Sequence, residues 1–138
     1  MNGFNIRVYA FCVHDGKLLT LHENYAGTPL LKLPGGGLEF GEGTLDCLHR
    51  EFMEELNLTI EVLDHVYTQE QMVPSLIKDG KQLLTIYYEA RILDPSGLKV
   101  NEDTPINHVE WKDLSQEILL GLPSDQWAFH KFLSVRNL

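Results

Sequence analysis

The sequence predicts an α+β fold in which a mixed β-sheet is covered on both faces. Three observations carry that expectation. Apolar segments of period two stand both before and after one long helical segment. That segment, Thr44 to Leu56, sets Leu45, Leu48, Phe52 and Leu56 on one stripe at helical spacing, which seats it on a core. A second helical segment lies near the C-terminus.

The elements follow in chain order. In residues 5–13, Ile6, Val8, Ala10 and Cys12 alternate with Arg7, Tyr9 and Phe11, the period of a strand. His14-Asp15-Gly16-Lys17 carries the Asp-Gly signal of a hairpin, and Leu18 to His22 returns as its second strand. Glu23 to Pro29 reads as a polar loop, and Leu30 to Leu33 as a short strand stopped by Pro34 and the turn of Gly35, Gly36 and Gly37. After the helix, residues 58–70 alternate loosely as a strand. Met72 to Lys78 and Gln82 to Ile92 flank Asp79-Gly80 as a second hairpin. Pro95, Gly97 and Pro105 punctuate a loop, and His108 to Trp111 is a short strand. Ser124 suits the N-cap of a final helix from Asp125 to Val135.

Composition narrows the class. A chain of 138 residues is expected to form one domain, spanning 1–138, with a true core. No apolar run approaches the roughly 18 residues of a membrane span, and the N-terminus lacks the pattern of a signal peptide. The expectation is a cytoplasmic protein with no membrane partner, its Cys12 and Cys47 reduced. A net charge of −9 argues against a nucleic-acid polymer as partner, since phosphate backbones select basic surfaces, but leaves a small nucleotide open.

The most informative stretch is Gly36 to Leu58. Side chains at i, i+3 and i+4 of a helix are neighbours, so Glu51, Glu54 and Glu55 crowd like charges onto one patch. A hard divalent cation such as Mg²⁺ prefers carboxylate oxygens and is commonly shared with substrate phosphates. The competing reading is a solvated acidic face.

Written as it stands, GGLEFGEGTLDCLHREFMEELNL resembles the signature box of the Nudix hydrolases, which cleave nucleoside diphosphates linked to another group. The match rests on Gly36, Glu42, Arg50, Glu51, Glu54 and Glu55, with apolar Phe52 and Leu58; Asn57 stands where the family usually has glycine. Asn is the next choice after Gly for a left-handed residue ending a helix. The resemblance implies an α/β/α sandwich, a nucleotide substrate and a Mg²⁺ cofactor, with Mn²⁺ as a substitute. It further implies a metal site of Glu51, Glu54 and Glu55 with a carbonyl from Gly35 or Gly36, in which a glutamate such as Glu54 or Glu55 also serves in catalysis. A homodimer is common among relatives that act on dinucleotide-like substrates.

Around that centre several residues keep two readings. Arg50, expected to point elsewhere on the helix than Glu51, either orients a glutamate by a bidentate contact or makes a surface salt bridge. Glu42 either binds an outer water of the metal or favours the helix N-terminus. Lys32 touches a phosphate or solvent. Tyr25, Tyr67, Tyr88 and Trp111 stack on a base or fill the core. Glu102 and Asp103 lie in a loop where some members of the family place an extra base or ligand. Cys47 and His49 read as packing positions. As rivals to the hydrolase stand a catalytically silent nucleotide-binding module and a purely structural acidic domain.

Overall fold

The computed structural model describes residues 2–77 and 79–136. Among these residues nine strands and two α-helices follow in order: β1 Phe4–Phe11, β2 Val13–His14, β3 Lys17–Tyr25, β4 Thr28–Lys32, β5 Gly35–Gly37, α1 Thr44–Leu56, β6 Ile60–Thr68, β7 Val73–Pro74, β8 Gln82–Ile92, β9 Ile106–Asp113 and α2 Pro123–Val135. A five-stranded sheet runs β5-β1-β8-β6, with β7 also pairing β8. Within it β1 and β8 are parallel and the other pairs antiparallel. A second sheet joins β2, β3 and β4, with β9 on β3. The result is the mixed α+β sandwich expected from the sequence.

Strand β1 shows why the larger sheet is covered on both faces. Its alternation separates two cores rather than core from solvent. Val8, Ala10 and Cys12 join Leu48, Phe52 and Leu56 of α1. Tyr9 and Phe11 join Phe129 and Phe132 of α2. Phe11 stacks on Phe132 with ring centroids 4.5 Å apart.

Helix α1 has the expected bounds but is turned slightly from the expected face. Cys47, Leu48, Phe52 and Leu56 are its buried residues, whereas Leu45 is exposed, as is His49. The buried stripe therefore runs one turn along the line of Cys47 and the glutamates, which brings the acidic patch to the sheet. Asn57 ends the helix at φ 56° and ψ 39°, as the left-handed reading requires. Its side chain also donates to the Gly97 carbonyl at 3.1 Å.

Four segments differ from expectation. The presumed loop Glu23 to Pro29 is mostly strand. β3 continues to Tyr25 and turns at Ala26 and Gly27, both at positive φ, into β4. The triple glycine is not a free turn but strand β5, with Gly35 opposite Tyr9 and Gly37 opposite Arg7. The second hairpin is loose, because only Val73 and Pro74 pair with β8; Lys78 lies outside the described residues. Helix α2 starts at Pro123 with Leu122 as its cap. Proline presets the first helical φ, and Ser124 is drawn inward instead, its Oγ 3.0 Å from the Tyr87 hydroxyl.

Beside Ser124 lies fully buried Asp125. It accepts a 2.5 Å hydrogen bond from Tyr87, and its Oδ2 has no partner among the described residues. Burial pushes this carboxyl up from 3.8 to about 6, against the opposing pull of Tyr87, Lys32 and Arg7.

Two outcomes test this description. Asn57→Gly should hold stability within about 1 kcal/mol, whereas Asn57→Ala should lose about 1–2 kcal/mol, because alanine lacks the short polar side chain that suits asparagine to the left-handed region and loses the hydrogen bond to Gly97. Chemical denaturation of both variants measures it. For Asp125, the native carboxyl keeps its proton up to about pH 6 while the unfolded chain releases it near 3.8. The native state thus binds more protons in that window, and stability falls as pH rises through it. Asp125→Asn keeps the shape and the acceptor for Tyr87. Its stability relative to wild type should rise by up to roughly 3 kcal/mol between pH 3.5 and pH 7, and a pH-independent difference would refute the shift.

Candidate active site

The site is a cleft of about 360 Å³ between α1 and the strands that face it. One wall is acidic: Glu51 and Glu55 of α1. The other is cationic: Arg7 of β1 and Lys32 of β4. Gly35 and Gly36 lie between them, and Glu23 and Tyr25 of β3 complete the buried floor.

The glycines are there for close approach. A Cβ on Gly36 would fall 2.5 Å from the Glu51 carboxyl carbon, and one on Gly35 would fall 2.1 Å from the Val8 carbonyl oxygen. Gly35 also has φ +142°, which side chains avoid. Only a bare backbone lets the helix carboxylate lie on β5 while β5 pairs with β1.

Arg50 locks that arrangement. Its Nε and Nη2 donate to Glu42 at 3.0 and 2.8 Å, a bidentate pair. Nη1 donates to Glu51 at 2.9 Å and to Glu54 at 3.2 Å, while Nη2 also reaches the Gly37 carbonyl at 2.9 Å. The side chain does not point away from Glu51, as its position on the helix suggested, because its length lets it wrap back over the glutamates. Glu42 is neither free nor merely near the helix end. The hydrogen bonds from Arg50, and then from the Glu39 amide, hold its carboxylate down to about 2.

Glu51 and Glu55 form the close acidic pair. Burial first, and then the hydrogen bond and charge of Glu51, push the Glu55 carboxyl up to about 9. Two half-buried carboxyls that interact repel as charges, and a cation between them would offset that repulsion. Glu54 stands apart. It is more than half exposed, leans on Arg50 and lines a second, open depression of about 550 Å³ with Asn57, Glu102 and Asp103. Glu102 is therefore on the Glu54 side of the helix and not in the cleft.

Lys32 lies neither in solvent nor free in the cleft. It is 2% exposed, with Nζ 3.0 Å from Glu23 Oε2. Burial works against its charge, but Tyr9 and Glu23 outweigh that and raise its pKa. Tyr25 is buried beneath the two cations, with Lys32 Nζ 4.5 Å and the Arg7 guanidinium 5.6 Å from its ring centroid. Its face is taken, so it holds cations instead of offering a platform for a base. Tyr67, Tyr88 and Trp111 pack against the two cores. Burial, then the charges of Glu42 and Glu51, lift the Cys47 thiol to about 12, which keeps it inert.

Reading the sequence missed Arg7 and Glu23. The signal was present: Glu23 continues the alternation of Leu19 and Leu21, and Arg7 shares the phase of Tyr9 and Phe11 in its strand. Each is a charge in a core phase.

Among the described residues, no three His, Cys, Asp or Glu side chains stand together as a ready metal cluster. What Glu51, Glu55 and the glycine backbone offer is a set of oxygen donors whose acidic pair meets one cation among the described residues, Arg50, and that only through Glu51; such a set suits a hard divalent cation and not a thiophilic one.

Fold and site together define a hydrolase scaffold for phosphoric anhydrides. The NUDIX domain family model matches residues 3–132, and the chain belongs to that family of pyrophosphohydrolases. Solved structures agree on the fold. A MutT NUDIX hydrolase from Burkholderia pseudomallei is 19% identical, with 93% of this chain and 97% of that one covered at a TM-score of 0.77. An ADP-ribose pyrophosphatase from Streptococcus suis is 20% identical, with 94% and 91% covered at 0.66. A UDP-X diphosphatase is 19% identical, with 96% of this chain but 64% of that one covered, at 0.69.

The Arg50 contacts carry a test. Arg50→Lys keeps the charge but loses the fork that grips Glu42 while reaching Glu51. Turnover of a nucleotide diphosphate should fall roughly 10–100-fold with the melting temperature nearly unchanged. Wild-type turnover would show that the fork does not orient the glutamates.

Proposed function

We propose that this chain is a Mg²⁺-dependent hydrolase that opens the diphosphate linkage of a nucleoside diphosphate derivative by attack of water at phosphorus. Nucleotide sugars, ADP-ribose-like compounds and nucleoside triphosphates make up the substrate class. The observation that carries this reading is the cleft with an acidic pair on one wall and two cations on the other. A diphosphate carried with a divalent ion suits such walls: Arg7 and Lys32 would meet its oxygens, and Glu51 and Glu55 would hold the ion.

Glu51 and Glu55, with the carbonyl of Gly35 or Gly36, would hold Mg²⁺, or Mn²⁺ in its place, and Glu54 is the next candidate ligand. When bound, the ion neutralises phosphate oxygens and makes water more acidic. The protein's own groups do the rest. Arg50 fixes the angle of Glu51. Lys32 and Arg7 orient the anionic substrate. A helix glutamate, Glu54 or Glu55, accepts the proton of the attacking water as the bond from phosphorus to the bridging oxygen breaks. No helix among the described residues is long and apolar enough to cross a membrane. The free thiols of Cys12 and Cys47 support a cytoplasmic setting.

Glu55→Gln removes a charge and almost no volume. It should reduce Mg²⁺-dependent cleavage of a panel of nucleotide sugars, ADP-ribose, dinucleotides and triphosphates by at least 100-fold, products being resolved by chromatography. In the same samples, millimolar Mg²⁺ should raise the melting temperature of wild type and not of the variant, because a ligand of the native state stabilises it. Unchanged cleavage in the variant would remove Glu55 from the site. Thermal shifts from nucleotides without any cleavage would favour a binding module.

A further inference from the structure

The two cations of the cleft do not sit at its mouth. Lys32, Glu23 and Tyr25 are buried at the floor, as are Gly35 and Gly36, whereas Asn24, Ala26, Ile77 and Pro105 are the exposed residues at the rim. The cleft thus has a closed, cationic end and an open, largely uncharged end.

Arg7 is prepared for an anion. Its Nε donates to the Tyr9 hydroxyl, while Nη1 and Nη2 bond no protein group among the described residues. The guanidinium lies 5.6 Å from the ring centroids of both Tyr9 and Tyr25, and Lys32 Nζ is 5.4 and 4.5 Å from the same two rings. Both cations are therefore gathered over one pair of tyrosines. Glu23 is the one carboxylate hydrogen-bonded to either cation among the described residues, and it meets Lys32 alone, so the Arg7 guanidinium is left without a carboxylate partner. Two free N–H groups of a guanidinium match two oxygens of one phosphate.

We infer that Arg7 and Lys32 form an inward-facing subsite for a terminal phosphate, so that the preferred substrate ends in an unsubstituted phosphate and its organic part leaves through the rim. A phosphate seated on a 2%-exposed lysine has no room for a second bulky substituent. A diphosphate capped at both ends, as in ADP-ribose or a nucleotide sugar, meets the closed floor with one of its caps. A triphosphate or other terminal polyphosphate does not. Arg7 is then the residue that determines specificity within the broader class proposed above.

The orientation rests on the diphosphate chemistry, but the two fail separately. Calorimetric titration of the Glu55→Gln protein in EDTA compares tripolyphosphate with ADP-ribose, without turnover and without metal. Tripolyphosphate should bind at least tenfold tighter. Adding Arg7→Gln should weaken tripolyphosphate tenfold or more and ADP-ribose by less. If Arg7→Gln does not fold, the charge-neutral pair Glu23→Gln with Lys32→Gln takes its place, with the same loss expected. Equal affinity for the two compounds, no binding of tripolyphosphate, or binding indifferent to these substitutions overturns the subsite. Hydrolysis of both substrate types by wild type, with kcat/KM unaffected by Arg7→Gln, would discard the orientation and keep the hydrolase. Tripolyphosphate binding through Arg7 without hydrolysis of any substrate would do the reverse.

Discussion

One guanidinium holds the working part of this molecule in register. Arg50 bonds the loop before the helix through Glu42, the strand through the Gly37 carbonyl, and the helix through Glu51 and Glu54. The partners come from three pieces of chain, so the distance between α1 and β5 is set by a planar group of fixed size. The close approach of Glu51 to Gly36 exists because that distance is short. The arrangement also explains how a helix with three neighbouring glutamates is tolerated: Glu51 and Glu54 share Arg50, and burial beside Glu51 raises the pKa of Glu55.

Charge in the cleft is arranged by opposition. The helix contributes acids and the sheets contribute bases, each wall held by its own partners. Lys32 is paired with Glu23 and stacked on Tyr25, and Arg7 is tied to Tyr9. Burying a charge is costly unless it is paired and hydrogen-bonded. Five charged residues at one cleft are therefore weak evidence for stability and good evidence for a ligand of mixed demands, anionic itself yet carried with a cation.

Much of this was legible in the sequence because it depends on local spacing. The helix bounds, the left-handed Asn57 and the adjacency of the glutamates follow from 3.6 residues per turn and from capping chemistry. The cationic wall was not, because it depends on pairing at a distance. Glu23 and Tyr25 fall in a stretch rich in polar and turn residues that reads as loop, and only pairing of β3 with β4 and β9 makes it strand. Arg7 lines the cleft because β1 pairs with β5, a register that no short window contains. Leu45 fell outside the buried stripe for a related reason. Periodicity gives the width of an apolar stripe, but the sheet beneath decides where its edge falls. Proline at the start of α2 displaced the expected Ser124 cap, and Tyr87, distant in sequence, took the serine.

The parallel pairing of β1 with β8 has a kinetic side. It sets Phe4 opposite Gln82 and Phe11 opposite Glu89, so the chain from β2 to β7 lies inside one long loop closed by those two strands. Both walls of the cleft except Arg7 lie within that loop, and most of their contacts, β3 with β4 and Arg50 with Glu42, are short-range. Closing so large a loop is entropically expensive and slow, whereas hairpins and single helices form in microseconds. On this topology the acidic helix and the lysine hairpin take shape early. The arginine arrives with the sheet, and the cleft acquires its second cation only in the step that also completes the double core.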